Sequence, residues 1–153
     1  MTSNERLAEL QHERLTLVNK TLWNLFDAFE KSLVINNDPF FASADWMHEQ
    51  RTLALRMGAG TGHSTFAKEL ATKHNAFLLT INHVPDFPGL NYSHLQLREM
   101  YYKFESPNIP SLFVIDDQYQ FGVRIESLYQ RLIKYRNQLG EDYLRSVRFV
   151  LLN

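Results

Sequence analysis

A glycine-rich segment near the middle of the chain has residue types that bind phosphate. An apolar run at residues 53–57 leads into three glycines within five positions, Gly58, Gly60 and Gly62. Glycine adopts backbone conformations closed to other residues, so successive N–H groups of such a turn can converge on an anion at the start of a helix. The segment therefore predicts a phosphate-binding loop between a strand and a helix.

The position that usually carries the charge of such a loop holds a histidine. In lysine-type loops, a glycine and four further residues precede Gly-Lys-Ser/Thr. Here Gly62, His63 and Ser64 supply the end of that pattern, while Met57 stands in place of the first glycine, which is displaced to Gly58. An imidazole is shorter than a lysine side chain and is mostly neutral at pH 7. We expect a phosphate site without its usual permanent cation; a plain glycine turn is the alternative.

A second segment has the residues to hold a divalent cation. The apolar run at residues 111–115 ends in two carboxylates, Asp116 and Asp117. Carboxylate oxygens are ligands that Mg²⁺ accepts, and a hydroxyl residue after the glycine loop, Ser64 or Thr65, is a second source of oxygen. The alternative is a solvated turn that follows a buried strand.

Together these motifs resemble those of the P-loop NTPases, and more narrowly the AAA+ and RecA-like group. In that group the second motif is an apolar strand ending in Asp-Glu, an extra helix and strand separate the two motifs, and the next strand ends in a polar sensor residue. Here Asp116 and Asp117 take the place of the acidic pair, and the last apolar run ends in Asn153. The resemblance covers residues 53–153.

The resemblance implies that the ligand is a purine nucleotide, ATP with Mg²⁺. It also implies a role for each matching residue. The backbone N–H groups of the loop Gly58, Gly60, Thr61, Gly62 and His63 would surround the phosphates, Ser64 with Thr65 beside it would contact Mg²⁺, Asp116 would bind Mg²⁺ through water, Asp117 would polarise the attacking water, and Asn153 would lie near the γ-phosphate.

Two departures from the group's pattern predict weak or absent hydrolysis. His63 removes the permanent cation, and Asp117 is one methylene shorter than the usual Glu. Misplacing a water-orienting group by about 1 Å lowers a rate on the order of 100-fold. A non-catalytic interaction or regulatory module that keeps the fold is therefore the main alternative. A nucleotide or small-molecule kinase resembles the chain less, because such enzymes need the lysine and several arginines.

Apolar runs that alternate with helical patterns must position these motifs. Such alternation is typical of a parallel sheet covered by helices on both faces. We predict an α/β fold of three layers, with a mostly parallel sheet of about four strands. The predicted strands are residues 53–57, 76–82, 111–117 and 147–153, and the predicted helices of this core are 65–74, 94–104 with Ser93 as N-cap, and 123–139 with Gly140 as C-cap.

The first 50 residues predict a helical segment ahead of the core of residues 51–153, the two forming one folded unit. Apolar residues at three- and four-residue steps indicate an amphipathic helix over residues 4–33, with Asn4 as N-cap, and a short helix follows at 43–50. We expect the long helix to pack on its own domain. The alternative is a protein partner or self-association through a short heptad at Leu15, Val18, Leu22, Leu25 and Phe29.

Composition argues against several other classes of function. The 153 residues carry 16 basic and 17 acidic side chains, well mixed, for a net charge of -1, so nucleic acid and anionic membranes are not indicated as partners. No cysteine is present to form a disulfide or a thiolate metal site. No apolar run approaches the roughly 20 residues of a membrane helix. We expect a cytoplasmic protein.

Overall fold

Five short strands form one parallel sheet in the part of the chain that the computed structural model describes, residues 1–35, 43–56, 62–80, 91–94, 109–116 and 118–153. Across the sheet the order is β1-β5-β4-β2-β3, and every neighbouring pair is parallel. The four predicted strands are confirmed as β1, β2, β4 and β5. The bounds are β1 Thr52–Leu55, β2 Phe77–Thr80, β3 Asn91–His94, β4 Leu112–Asp116 and β5 Arg148–Leu152.

Helices cover both faces of the sheet, so the predicted three-layer α/β arrangement is confirmed. One apolar cluster joins the sheet to α1 and α3, and the other joins it to α2, α4 and α6. None of the helices in the described ranges is long and apolar enough to cross a membrane. Their bounds are α1 Ser3–Ile35, α2 Ala44–Gln50, α3 His63–Lys73, α4 Gln118–Lys134, α5 Arg136–Leu139 and α6 Glu141–Ser146.

The two central strands β4 and β2 are apolar almost throughout because both of their faces are covered. Every residue of both strands is buried. Leu112 and Val114 face α1 and α3, whereas Phe113 and Ile115 face α4 on the other side. Alternation along the strand therefore directs the next residue, Asp116, toward the α1 and α3 layer.

The crossover connections leave the sheet on opposite faces. From β1 the chain passes through α3 to β2, and from β4 it returns through α4, α5 and α6 to β5, in the opposite direction across the sheet. Right-handed connections that run in opposite directions must lie on opposite faces. The strands β1 and β4 flank β5, and open parallel sheets bind ligands at the carboxyl ends of strands where the connections diverge in this way.

Buried polar contacts hold the amino end of β1 in place. The fully buried Arg51 donates a hydrogen bond from Nη1 to the carbonyl of Arg145, at 2.7 Å. One residue later, the hydroxyl of Thr52 lies 2.8 Å from that of Tyr129 on α4. Burial of this phenol raises the pKa of Tyr129 to about 12. These contacts fix the strand that leads into the glycine loop.

The long helix α1 begins with a capping box whose N-cap lies two residues earlier than predicted. The N–H of Glu5 donates to the Thr2 hydroxyl and the N–H of Thr2 donates to the Glu5 carboxylate, each at 3.1 Å. The N-cap is therefore Thr2 and the prediction of Asn4 is wrong, because the reciprocal bond needs a Glu three residues after the cap. The helix runs over 33 residues.

Three further predictions concern where helices begin and end. Ser93 lies in β3, paired with β2, so its assignment as a helix N-cap is wrong; sheet pairing overrides the local preference, and the rest of that predicted helix lies outside the described residues. Gly140 is confirmed as a C-cap, with φ of 86°. The predicted helix before it is divided at Tyr135 into α4 and α5.

Replacement of Phe26 on α1 tests how this helix contributes to the core. The Phe26 ring is 1% exposed and lies 5.0 Å from the His74 ring, centroid to centroid. We expect Phe26→Ala to lower the free energy of unfolding by about 3–5 kcal/mol. Its neighbour Leu25 is 40% exposed, so Leu25→Ala should lower it by less than about 1 kcal/mol. Urea denaturation followed by circular dichroism measures both, and equal losses would contradict this orientation of α1.

Candidate phosphate-binding site

Strand pairing aligns five residues, one from each strand, in a row at the carboxyl edge of the sheet. The row ends at His94, which pairs with Thr80. Leu55 pairs with Leu152, and Leu152 pairs with Asp116. Because Leu79 pairs with Ile115, Thr80 lies level with Asp116 on the other side. Residues level with each other in a parallel sheet share a face, and Leu152 belongs to the apolar layer under α1 and α3. Asp116 and Thr80 are therefore polar side chains at the end of a layer that is otherwise apolar.

Asp116 is a buried carboxylate with a buried hydrogen-bond donor beside it. Its exposed fraction is 1%, and Thr80 is fully buried. The Thr80 hydroxyl donates to Asp116 Oδ2 at 3.3 Å. This bond restricts the rotation of the carboxylate and partly compensates for its removal from water.

The start of α3 has the backbone of an anion-binding turn. Gly62 is the N-cap, with φ of 78°, a conformation in which any other residue except Asn or Asp is strained. A Cβ at this position would also lie 3.4 Å from Leu15 Cδ2 on α1. The helix ladder begins with the Phe66 N–H donating to the Gly62 carbonyl. The earlier N–H groups of this turn are therefore not used by the ladder and point past the helix end.

His63 contacts Asp116, which brings the two sequence motifs together. The distance from His63 Nε2 to Asp116 Oδ1 is 3.4 Å, and the two side chains are 13% and 1% exposed. When the imidazole is protonated this contact is an ion pair. The residue that replaces the loop lysine and the residue that ends the acidic strand are thus direct neighbours.

The other predicted site residues fall into two groups. Asn153 is half-buried, and its N–H donates to the Leu55 carbonyl at 3.0 Å, so it lies beside the end of β1. Ser64 is half-buried and Thr65 is exposed in the first turn of α3. The remaining predicted residues, Gly58, Gly60, Thr61 and Asp117, lie outside the described residues.

Sequence reasoning missed Thr80 as a member of this cluster. Its signal was present, since Thr80 is a polar residue near the end of an apolar strand, as Asp116 is. Because the order of strands was not predicted, nothing indicated that β2 lies beside β4 and that Thr80 therefore lies beside Asp116. Among the described residues there is no group of three or more His, Asp or Glu side chains that could hold a metal by themselves.

Replacement of Thr80 tests the hydrogen bond to Asp116. Thr80→Val keeps the volume and removes the donor from a buried carboxylate, so we expect a loss of about 1–3 kcal/mol in the free energy of unfolding. Thr72 is the matched control, because it is exposed on α3 and its hydroxyl donates to its own helix. Thr72→Val should change stability by less than about 0.5 kcal/mol. Thermal denaturation compares the two, and a Thr80→Val protein as stable as the control would refute the contact.

Comparison with known proteins does not assign the chain to a family. No protein-family model matches it, and no curated protein or solved structure is similar to it at a significant level.

Proposed function

We propose that this protein binds a purine nucleotide, ATP with Mg²⁺, at the carboxyl edge of the sheet, and hydrolyses it weakly or not at all. The observation that carries the proposal is the 3.4 Å contact between His63 Nε2 and Asp116 Oδ1. A glycine turn or an acidic strand end is a weak signal when it stands alone. Two such signals that meet at the carboxyl edge of a parallel sheet support a common ligand.

The start of α3 is suited to hold the phosphates. Its N-terminal N–H groups and the positive end of its dipole attract anions. Gly62 permits the close approach that such binding requires, because it has no Cβ and adopts a positive φ. Open parallel sheets bind ligands at the carboxyl ends of their strands, and this turn lies at that edge.

The chain fits a magnesium ion that is bound together with phosphates. Mg²⁺ in such sites takes one or two protein oxygens and completes its shell with phosphate and water. Asp116 offers a carboxylate at the sheet edge, and Ser64 offers a hydroxyl in the first turn of α3. When bound, the ion would neutralise charge on the phosphates. Thr80 would keep the carboxylate oriented toward it through the existing hydrogen bond.

His63 explains why we expect little turnover. It cannot place a permanent cation on the phosphates, and it contacts the carboxylate that the ion requires. His63 and Mg²⁺ would therefore compete for the Asp116 carboxylate. The competition weakens both metal binding and stabilisation of the transition state.

The alternative is an interaction module that keeps this fold without nucleotide chemistry. It is favoured by the N-terminal half of α1, where Leu7 and Leu10 are exposed at successive turns. Amphipathic helices bind partners through apolar residues that are spaced in this way. The two functions are compatible, but only the first depends on the cluster at the sheet edge.

Calorimetric titration tests nucleotide binding directly. We expect millimolar to high-micromolar binding of ATP by the natural protein, and about tenfold tighter binding of Mg²⁺-ATP by His63→Lys, a gain typical of one charge-assisted hydrogen bond. His74→Lys adds the same charge at the far end of α3 and should leave the affinity unchanged. Absence of ATP and ADP binding in both the natural protein and His63→Lys, with and without Mg²⁺, would refute the nucleotide site and favour the interaction module.

Phosphate release from ATP tests the chemistry separately. We expect turnover at least about 100-fold below the 1 s⁻¹ at the low end of ordinary enzymes. The double variant His63→Lys with Asp117→Glu should raise it, since both usual residues are then present. If the natural protein turns over at about 1 s⁻¹ or faster, His63 and Asp117 do not impair hydrolysis as we propose.

A further inference from the structure

Helix α1 lies along α3 in the same direction and passes its N-terminus. Near the start of α3, Leu15 Cδ2 lies 3.4 Å from the position that a Cβ on Gly62 would occupy. Farther along, the Trp23 ring lies 5.2 Å from that of Phe66, centroid to centroid. The residues before Leu15 therefore continue beyond the start of α3. Residues 3–14 rise about 18 Å along the helix axis, at about 1.5 Å per residue, and all of them are exposed.

A groove separates the two helices at this point. Its volume is about 340 Å³, which reaches the lower end of the range for small-molecule sites, about 300–1,000 Å³. Gly62 and Thr65 belong both to this lining and to the first turn of α3. A ligand that is held by its phosphates at this turn can therefore extend directly into the groove. The lining consists of His12, Leu15, Thr16 and Asn19 on α1 and Gly62, Thr65 and Glu69 on α3.

The groove has the mixed chemistry that a nucleoside requires. Leu15 is an apolar surface for one face of a base, and the His12 imidazole is a flat ring that can stack. The half-buried Asn19 has an amide that both donates and accepts hydrogen bonds, as the edge of a purine does. The half-buried Glu69 carboxylate accepts hydrogen bonds from sugar hydroxyls. An inorganic phosphate has neither a flat face to stack on these side chains nor, when ionised, a donor for the Glu69 carboxylate.

We infer that the groove between α1 and α3 binds the nucleoside part of the nucleotide, with Asn19 and Glu69 as specificity-determining residues. This inference rests on the proposed function, because the phosphates must be held at the start of α3. It gives α1 a direct part in binding. The helix then distinguishes a nucleotide from a bare polyphosphate.

Two probes separate the nucleoside contribution from the phosphate contribution. Calorimetry with Mg²⁺ measures the affinities of ATP and of inorganic tripolyphosphate for the natural protein, Asn19→Ala and Glu69→Gln. The readout is the ratio of the two affinities, since loss of the Glu69 charge affects both anions alike. We expect each variant to lower the ratio about three- to tenfold, the effect of one hydrogen bond.

Matched controls replace the same residue types outside the groove. Asn24 is exposed farther along α1 and Glu126 is exposed on α4, across the sheet. Asn24→Ala and Glu126→Gln should leave the ratio unchanged, and thermal denaturation verifies that every variant is folded. Should Asn19→Ala fail to fold, Glu69→Gln carries the test alone, because its side chain has the same size.

The outcomes distinguish this inference from the proposed function. A lower ratio for the groove variants and not for the controls supports the inference. If the natural protein binds both probes and no groove variant changes the ratio, the groove does not bind the nucleoside, whereas the phosphate site stands. If the natural protein binds neither probe, the phosphate site is refuted and the inference with it.

Discussion

Burial of the Asp116 carboxylate is the constraint on which this edge of the sheet depends. The register of β4 between β5 and β2 directs the side chain into the layer beneath α1 and α3. A carboxylate at 1% exposure needs hydrogen-bond donors or a positive partner. Thr80 donates to one of its oxygens, and His63 contacts the other. One side chain therefore links the end of β4 to the end of β2 and the start of α3.

Topology explains why these elements meet at this edge. In a parallel sheet all carboxyl ends lie on the same side, and the helices that follow them begin there. Here α3 follows β1 on one face and α4 follows β4 on the other. The N-terminus of α3 therefore lies at this edge, with the groove between α3 and the first half of α1 beside it. The contact between His63 and Asp116 places the first turn of α3 next to the buried carboxylate.

The sequence predicts the layers of this fold much better than its contacts. Continuous apolar runs identify β2, β4 and β5, because strands buried on both faces contain few polar residues. The spacing of Thr2 and Glu5 also contains the signal of a capping box, although Asn4 was predicted as the N-cap. The roles of Thr80 and Ser93 could not be predicted, because they come from contacts with residues on other strands. The groove between α1 and α3 depends on how two helices cross, which no local pattern contains.

A histidine at position 63 can interact either with the buried Asp116 carboxylate or with a bound phosphate. The buried Asp116 carboxylate is stabilised by the His63 imidazole nitrogen at 3.4 Å. A phosphate would be stabilised by the same imidazole only if the ring turned away from Asp116. A lysine is long enough to extend past the carboxylate, but the shorter imidazole lacks that reach. A ligand that binds His63 or Asp116 must therefore interact with it more favourably than the two side chains interact with each other. Under the proposed function, this competition, more than the geometry of the glycine turn, would distinguish nucleotide binding from hydrolysis.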